Sequence, residues 1–275
     1  MSLTWRSVAP GNADPIPACA RRRLGWGERR RRRRRRERSL NEPGLATARR
    51  LNDEASPGAD RRTHRDRYGA LMGELGENIH SFIDDDRAVR WLSKYYGGKY
   101  TGSRFDTAAQ LQSPDPHCFT AHDFAAVATL SVPMSGRAIC GLLDREATLT
   151  DLLRNVPFET GLVDATDEAI TAIYAVQSEL DKVMDIGHVT RSKLLAHKRP
   201  QLIPIRDQYV LKALIGRDHG SFTEPLRDTL TADRSITERL DAVQRESSIS
   251  QHISTIRALD VIVWMSTHGD AQVDD

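Results

Sequence analysis

From Tyr68 onward, apolar residues return at intervals of three and four and almost never alternate, which is the spacing of helices that bury one face. Leu71, Leu75, Ile79 and Phe82 form one stripe, and Val89, Leu92, Tyr95 and Tyr96 form the next. Asp84, Asp85 and Asp86 separate them. Three consecutive carboxylates point in different directions, and they suit the positive end of the following helix better than a metal ion. Thr120 and Asp123 read as a capping box that opens a helix through Val127 and Leu130. Short helical patterns follow over 138–143 and 149–156. A stronger one, capped by Thr166, places Ile170, Ile173, Val176 and Leu180 on one face and Asp181 and Lys182 toward water. Patterns at 225–230, 236–243 and 250–267 complete the chain, and no repeat of fixed period runs through it. The expectation is an all-α, compact multi-helix domain over residues 68–275.

Charge divides the chain differently. Residues 1–67 hold 19 arginines, no lysine and 8 acids, a net +11, with an unbroken arginine run over 29–36. The remainder holds 21 basic and 30 acidic residues, a net −9. The first segment has too little apolar surface to offset the entropy of ordering, so it is expected to be a disordered Arg-rich stretch. It has two readings: a basic arm that attracts nucleic acid, or translation from upstream of the native start, with Met72 one candidate. Arginine outnumbering lysine 34 to 6 points to GC-rich coding and favours the second.

Cys19, Cys118 and Cys140 are too few and too dispersed for a disulfide framework or a four-cysteine metal site. No apolar run approaches the roughly 18 residues that would cross a bilayer. A cytoplasmic protein without membrane contact, metal or cofactor is expected. His117 and His122 straddle a helix start and do not converge as a pair on one helix would. The loop that carries Lys99, Tyr100, Arg104 and Phe105 between Gly97, Gly98 and Gly102 is either an anion cradle or a turn before a buried Phe.

The segment 183–216 inverts the local charge. Arg191, Lys193, Lys198, Arg199, Arg206 and Lys212 face one acid, Asp207, a local +5 in an acidic body. Such an island either pairs internally or meets an anionic ligand such as a phosphate backbone. A helix ends, the chain turns through Asp185, Ile186, Gly187 and His188, and a second helix runs over 189–197 with Thr190 in its first turn. A turn glycine and unpaired amides there would face a phosphate. The candidate nucleic-acid contacts are therefore Gly187, His188, Thr190, Arg191, Lys193, Lys198, Arg199 and Arg206, with DNA the partner. Asp207 sits where the next helix begins. It is either an N-cap or a carboxylate that stabilises an oxocarbenium-like sugar beside an extruded base, with Tyr209 or His188 lining the pocket.

On these residues the stretch 185–210, with Gly187, Thr190 and then Ile203, Pro204, Ile205, Arg206, Asp207, Gln208 and Tyr209, resembles the helix-hairpin-helix and following aspartate of the DNA glycosylase superfamily. The resemblance implies that Gly187 and Thr190 belong to a phosphate-gripping hairpin on a glycosylase-like scaffold and that Asp207 is the catalytic carboxylate. Asp185 and Met184 replace the first hairpin glycine and the proline before it. Val189 stands where bifunctional members carry a Schiff-base lysine, so the activity implied is monofunctional. More of the body, through Tyr100, Thr101, Gly102 and Phe105, then Lys193 to Pro200 and Leu202 to Pro204, resembles an uncharacterised bacterial family of GC-rich genomes, which brings no activity with it. Three readings stay open: a nucleic-acid-associated protein, a monofunctional base-excision glycosylase using Asp207, and a non-enzymatic module that binds a protein through its acidic face.

Overall fold

The computed structural model describes residues 59–108, 111–217, 222–249 and 253–267. Nearly all of the segment expected to be disordered therefore lies outside the described residues. The chain divides into two units, 1–60 and 61–275, and the architecture below belongs to the second.

Among the described residues there are twelve α-helices and no strand. The first, α1 (Ala59–Ile83), begins ahead of the expected Tyr68. It starts directly after Pro57 and Gly58 in the sequence, the nearest helix breakers upstream. Leu75, Ile79 and Ile83 are its buried stripe. Next is α2 (Ala88–Lys94); ahead of it the Asp85 carboxylate accepts from the Arg87 backbone N–H at 2.8 Å in a local turn, but no side chain among the described residues caps the helix itself, so the expected capping by the three aspartates is not met. A π-helical turn at Tyr95–Lys99 then relaxes the backbone, with Gly98 at φ 93. Short α3 (Ser103–Thr107) buries Phe105, as a turn before a core residue should.

The capping box predicted at Thr120 and Asp123 opens α4 (Ala121–Thr129). Helices α5 (Gly136–Leu143) and α6 (Glu146–Arg154) follow, and α7 (Asp167–Leu180) starts where Thr166 accepts from the Ala169 N–H. The basic segment forms α8 (His188–Lys198) and α9 (Gln208–Ile215), and Gly216 closes α9 at φ 68, where a side chain would be strained. Helices α10 (Thr223–Ala232), α11 (Arg234–Glu246) and α12 (Thr255–Thr267) complete the unit.

The core is built around α12. Every residue from Ile256 to Val263 is buried, the pattern of a helix covered on all sides. It packs against α2, α9 and α11, while α8 packs on α4 and α6 on α7. Two of its buried residues, Arg257 and Asp260, are charged. No helix among the described residues is long and apolar enough to cross a membrane.

Candidate functional site

The six cations of the segment 188–212 do not share a surface, which corrects the expectation of a continuous basic patch. On α8, at roughly 100° per residue, Lys193 stands across the helix from both Arg191 and Lys198. Lys198 is fully buried, with Nζ 2.7 Å from Asp123 Oδ2 and donating to the Asp115 carbonyl at 2.7 Å and to Ser113 Oγ. His197 shares the same carboxylate at 2.7 Å. Arg199 is also fully buried. Its guanidinium donates to the carbonyls of Leu153, Val156 and Pro116 at 2.7, 3.0 and 2.6 Å, two of them at the carbonyl end of α6. Burial among neutral acceptors pulls its pKa down to about 10. Arg191 pairs with Asp181, and the half-buried Arg206 has its pKa lowered by burial first and by Arg191 second. Lys212 is exposed on α9. Internal pairing, one of the two readings of this island, accounts for Lys198 and Arg191, and backbone carbonyls account for Arg199.

At the turn before α8 the left-handed residue is Asp185, at φ 67, with its carboxylate accepting from Ser135 Oγ at 2.8 Å. Gly187 is at φ −88 and open on its Cβ side, so the backbone does not demand glycine there. His188 is exposed and Thr190 half-buried.

Lys193 goes elsewhere. Together with Asp207 and Tyr209 it lines a cavity of about 450 Å³, within the usual range for small-molecule sites. Helix ends converge on it: the π-helical turn after α2, the loop at 100–102, the end of α4, the start of α9 and the middle of α12. Its wall is aromatic. Tyr95 stacks on Tyr100 with ring centroids 5.5 Å apart and planes at 12°, and Trp264 meets both edge-on at 5.9 and 5.8 Å. Gly102 is needed for this arrangement, since a Cβ there would lie 2.2 Å from Tyr95 Oη and 3.0 Å from Leu130. Ser131, also in the wall, holds a positive φ of 59.

The charged groups of the cavity come from three helices. Asp207 caps α9, Oδ1 accepting from the Tyr209 N–H at 3.0 Å, while Oδ2 makes no hydrogen bond among the described residues. Lys193 donates to the Leu130 carbonyl at 3.2 Å, and burial lowers its pKa despite the Asp207 and Asp260 carboxylates that act to raise it. Below the aromatic wall, Arg257 Nε reaches both oxygens of Asp106 at 3.1 and 2.9 Å, Nη2 donates to Tyr95 Oη at 3.0 Å, and Nη1 donates to Asp260 Oδ2. One guanidinium thus serves two carboxylates. Asp106 shares the Nε–H between its two oxygens, and Asp260 is pushed up to about 6, by burial first, against the pull of Arg257. Asp260 Oδ1 is buried without a hydrogen-bond partner among the described residues.

Of the residues singled out in the sequence, the structure brings Lys193, Asp207, Tyr209 and the 100–102 loop together. It leaves Gly187, His188 and Arg191 at the far turn and Lys198 and Arg199 in the core. Tyr95, Trp264, Arg257 and Asp260 were not among the predicted site residues. Two charges inside the otherwise apolar α12 stripe were the available signal. A cavity of about 530 Å³ beside α11, near Arg234, Thr237 and Asp241, has no aromatic wall and none of the unpartnered buried atoms.

No curated protein and no solved structure matches this chain. A family match covers residues 88–267, well over half of the chain and every residue that lines the aromatic cavity. On that match, the chain belongs to the family of unknown function DUF6308.

Proposed function

We propose that the aromatic cavity binds a nucleoside and that Asp207 and Lys193 cleave its N-glycosidic bond by monofunctional hydrolysis. The observation that carries this reading is the meeting of Asp207 and Lys193 inside a wall built by Tyr95, Tyr100, Tyr209 and Trp264. Flat rings stack on such walls. A carboxylate held in a partly desolvated site stabilises a developing sugar cation far better than it would in water.

Lys193 supplies the partner group that spacing alone did not identify. Its ammonium is a stronger acid than an exposed lysine because burial lowers its pKa, which suits it to protonate a departing base. In the step proposed, the bond from C1′ to the base nitrogen breaks with its electron pair on nitrogen, which takes the Lys193 proton. Water adds to the sugar cation beside Asp207 and releases a proton that restores the ammonium. The products are the free base and the sugar with a hydroxyl at C1′.

A nucleoside entering alone is preferred to an extruded base of DNA because Lys198, Arg199 and Arg191 are committed to internal partners rather than to a phosphate-binding surface. The test is chromatographic detection of free base after incubating the full chain with ribo- and deoxyribonucleosides. Release by the wild type, falling at least about 100-fold in Asp207→Asn with nucleoside binding retained, supports the assignment. Undiminished release in that variant overturns the role of Asp207. Alkali-labile sites in an oligonucleotide, without release from nucleosides, would transfer the activity to nucleic acid.

A further inference from the structure

The cavity contains an acceptor that the protein itself leaves unmet. The Asp260 side chain is about 10 % exposed, with Oδ2 held by Arg257, and Oδ1 has no hydrogen-bond partner among the described residues. Arg257 cannot turn to serve the second oxygen, because Asp106 and Tyr95 fix its other nitrogens. Lys193 acts on Asp260 through space, its hydrogen bond among the described residues going to the Leu130 carbonyl. A buried carboxylate oxygen in this state is an uncompensated desolvation cost to the fold. Such a cost is recovered whenever a bound donor completes the shell. Asp260 lines both the aromatic cavity and a void of about 10 Å³ beside it, with Oδ1 itself closed to solvent, so a donor meets it only as the wall shifts on binding.

We infer that Asp260 reads the edge of the base, Oδ1 accepting from an exocyclic amino group, so that the cavity selects amino-bearing bases over their oxo counterparts. An amine presents N–H donors to the carboxylate, whereas a carbonyl in its place sets lone pairs against lone pairs. The inference rests on the nucleoside reading of the cavity and adds the substrate class.

The experiment is a set of equilibrium titrations of the full chain with adenosine, inosine, cytidine and uridine, followed by intrinsic tryptophan fluorescence and confirmed by calorimetry. Adenosine over inosine and cytidine over uridine, each by at least about tenfold, is the expected result. In Asp260→Asn the amide can turn its N–H₂ toward the ligand, and the order inverts. Equal affinity within each pair overturns the role of Asp260 while leaving nucleoside binding in place, and means that another donor, such as a water in the adjoining void, serves Oδ1. Absence of binding by all four overturns both readings. A preference that persists in Asp260→Asn also sinks the assignment.

A second measurement needs no variant. The groups that act on Asp260 are Arg257 on its own helix, Lys193 from α8, Asp207 at the start of α9, and Asp106 through Arg257. With the Asp260 carboxyl pushed up to about 6, the amino preference grows between pH 5 and pH 7.5 as the carboxyl loses its proton, and a preference flat across that range overturns the inference.

Discussion

Lys198 and Asp123 show how a charge can be structural in a place where it looked like a ligand contact. Asp123 closes the capping box of α4, and its burial would raise its pKa, but hydrogen bonds from His197 and Lys198 hold it below the usual carboxylate value. Removing one member leaves the other charge stranded in the core. Lys198→Met is therefore expected to destabilise the fold by about 3 kcal/mol, the low end of the range for broken buried pairs, because His197 remains. Urea denaturation reads this, and a loss below about 1 kcal/mol would show that the pair is incidental. Gly102→Ala acts at the same scale through space rather than charge. The new methyl would collide with Tyr95 Oη, so nucleoside binding should fall while far-UV circular dichroism keeps its helical form. Unchanged binding would separate the Tyr95 wall from the ligand.

At the scale of elements, α12 carries a pH dependence that can be isolated. The folded-state pKa of Asp260 is raised from 3.8 to about 6, so the native protein binds the extra proton between those values. Stability from this group therefore declines as pH rises from about 4 to about 6. Asp123, with its depressed pKa, works in the opposite sense: its contribution is present above about 4 and is lost as pH falls through the folded value. Comparing chemical denaturation of wild type and Asp260→Asn at pH 4 and pH 7 removes the shared part. The variant should gain on the wild type toward neutral pH, and parallel curves would mean that Arg257 neutralises Asp260 fully. The π-helical turn after α2 is the other element with a consequence for the site. Its extra residue per turn and the φ of 93 at Gly98 carry the chain from the buried Tyr95 to Tyr100, which returns to stack on it.

For the whole molecule, the distribution of charge decides what sort of ligand fits. If four phosphates were neutralised by the basic segment, log affinity would fall with log salt at a slope of about −3.6. With Lys193, Lys198 and Arg199 buried, nucleoside binding is expected to be nearly independent of salt between 50 and 200 mM, on the order of less than one unit of slope. A steep slope with single-stranded DNA would restore the nucleic-acid reading.

What could be read in advance follows from range. A cap involves residues two or three apart, so Thr120 with Asp123, Thr166, and Asp207 were recognisable from local order alone. The helical class followed from a periodicity that any amphipathic helix must show. The position of Asp207 ahead of α9 was legible for the same reason, but the cavity it faces was not. Only packing set Lys193 inward with Tyr95 and Trp264, sent Lys198 to Asp123 on α4, and buried Arg257 and Asp260 on the central helix. Residue order along one helix specifies angles around its axis, whereas the partner each angle meets depends on how distant segments dock, and that interaction energy has no local signature in the chain.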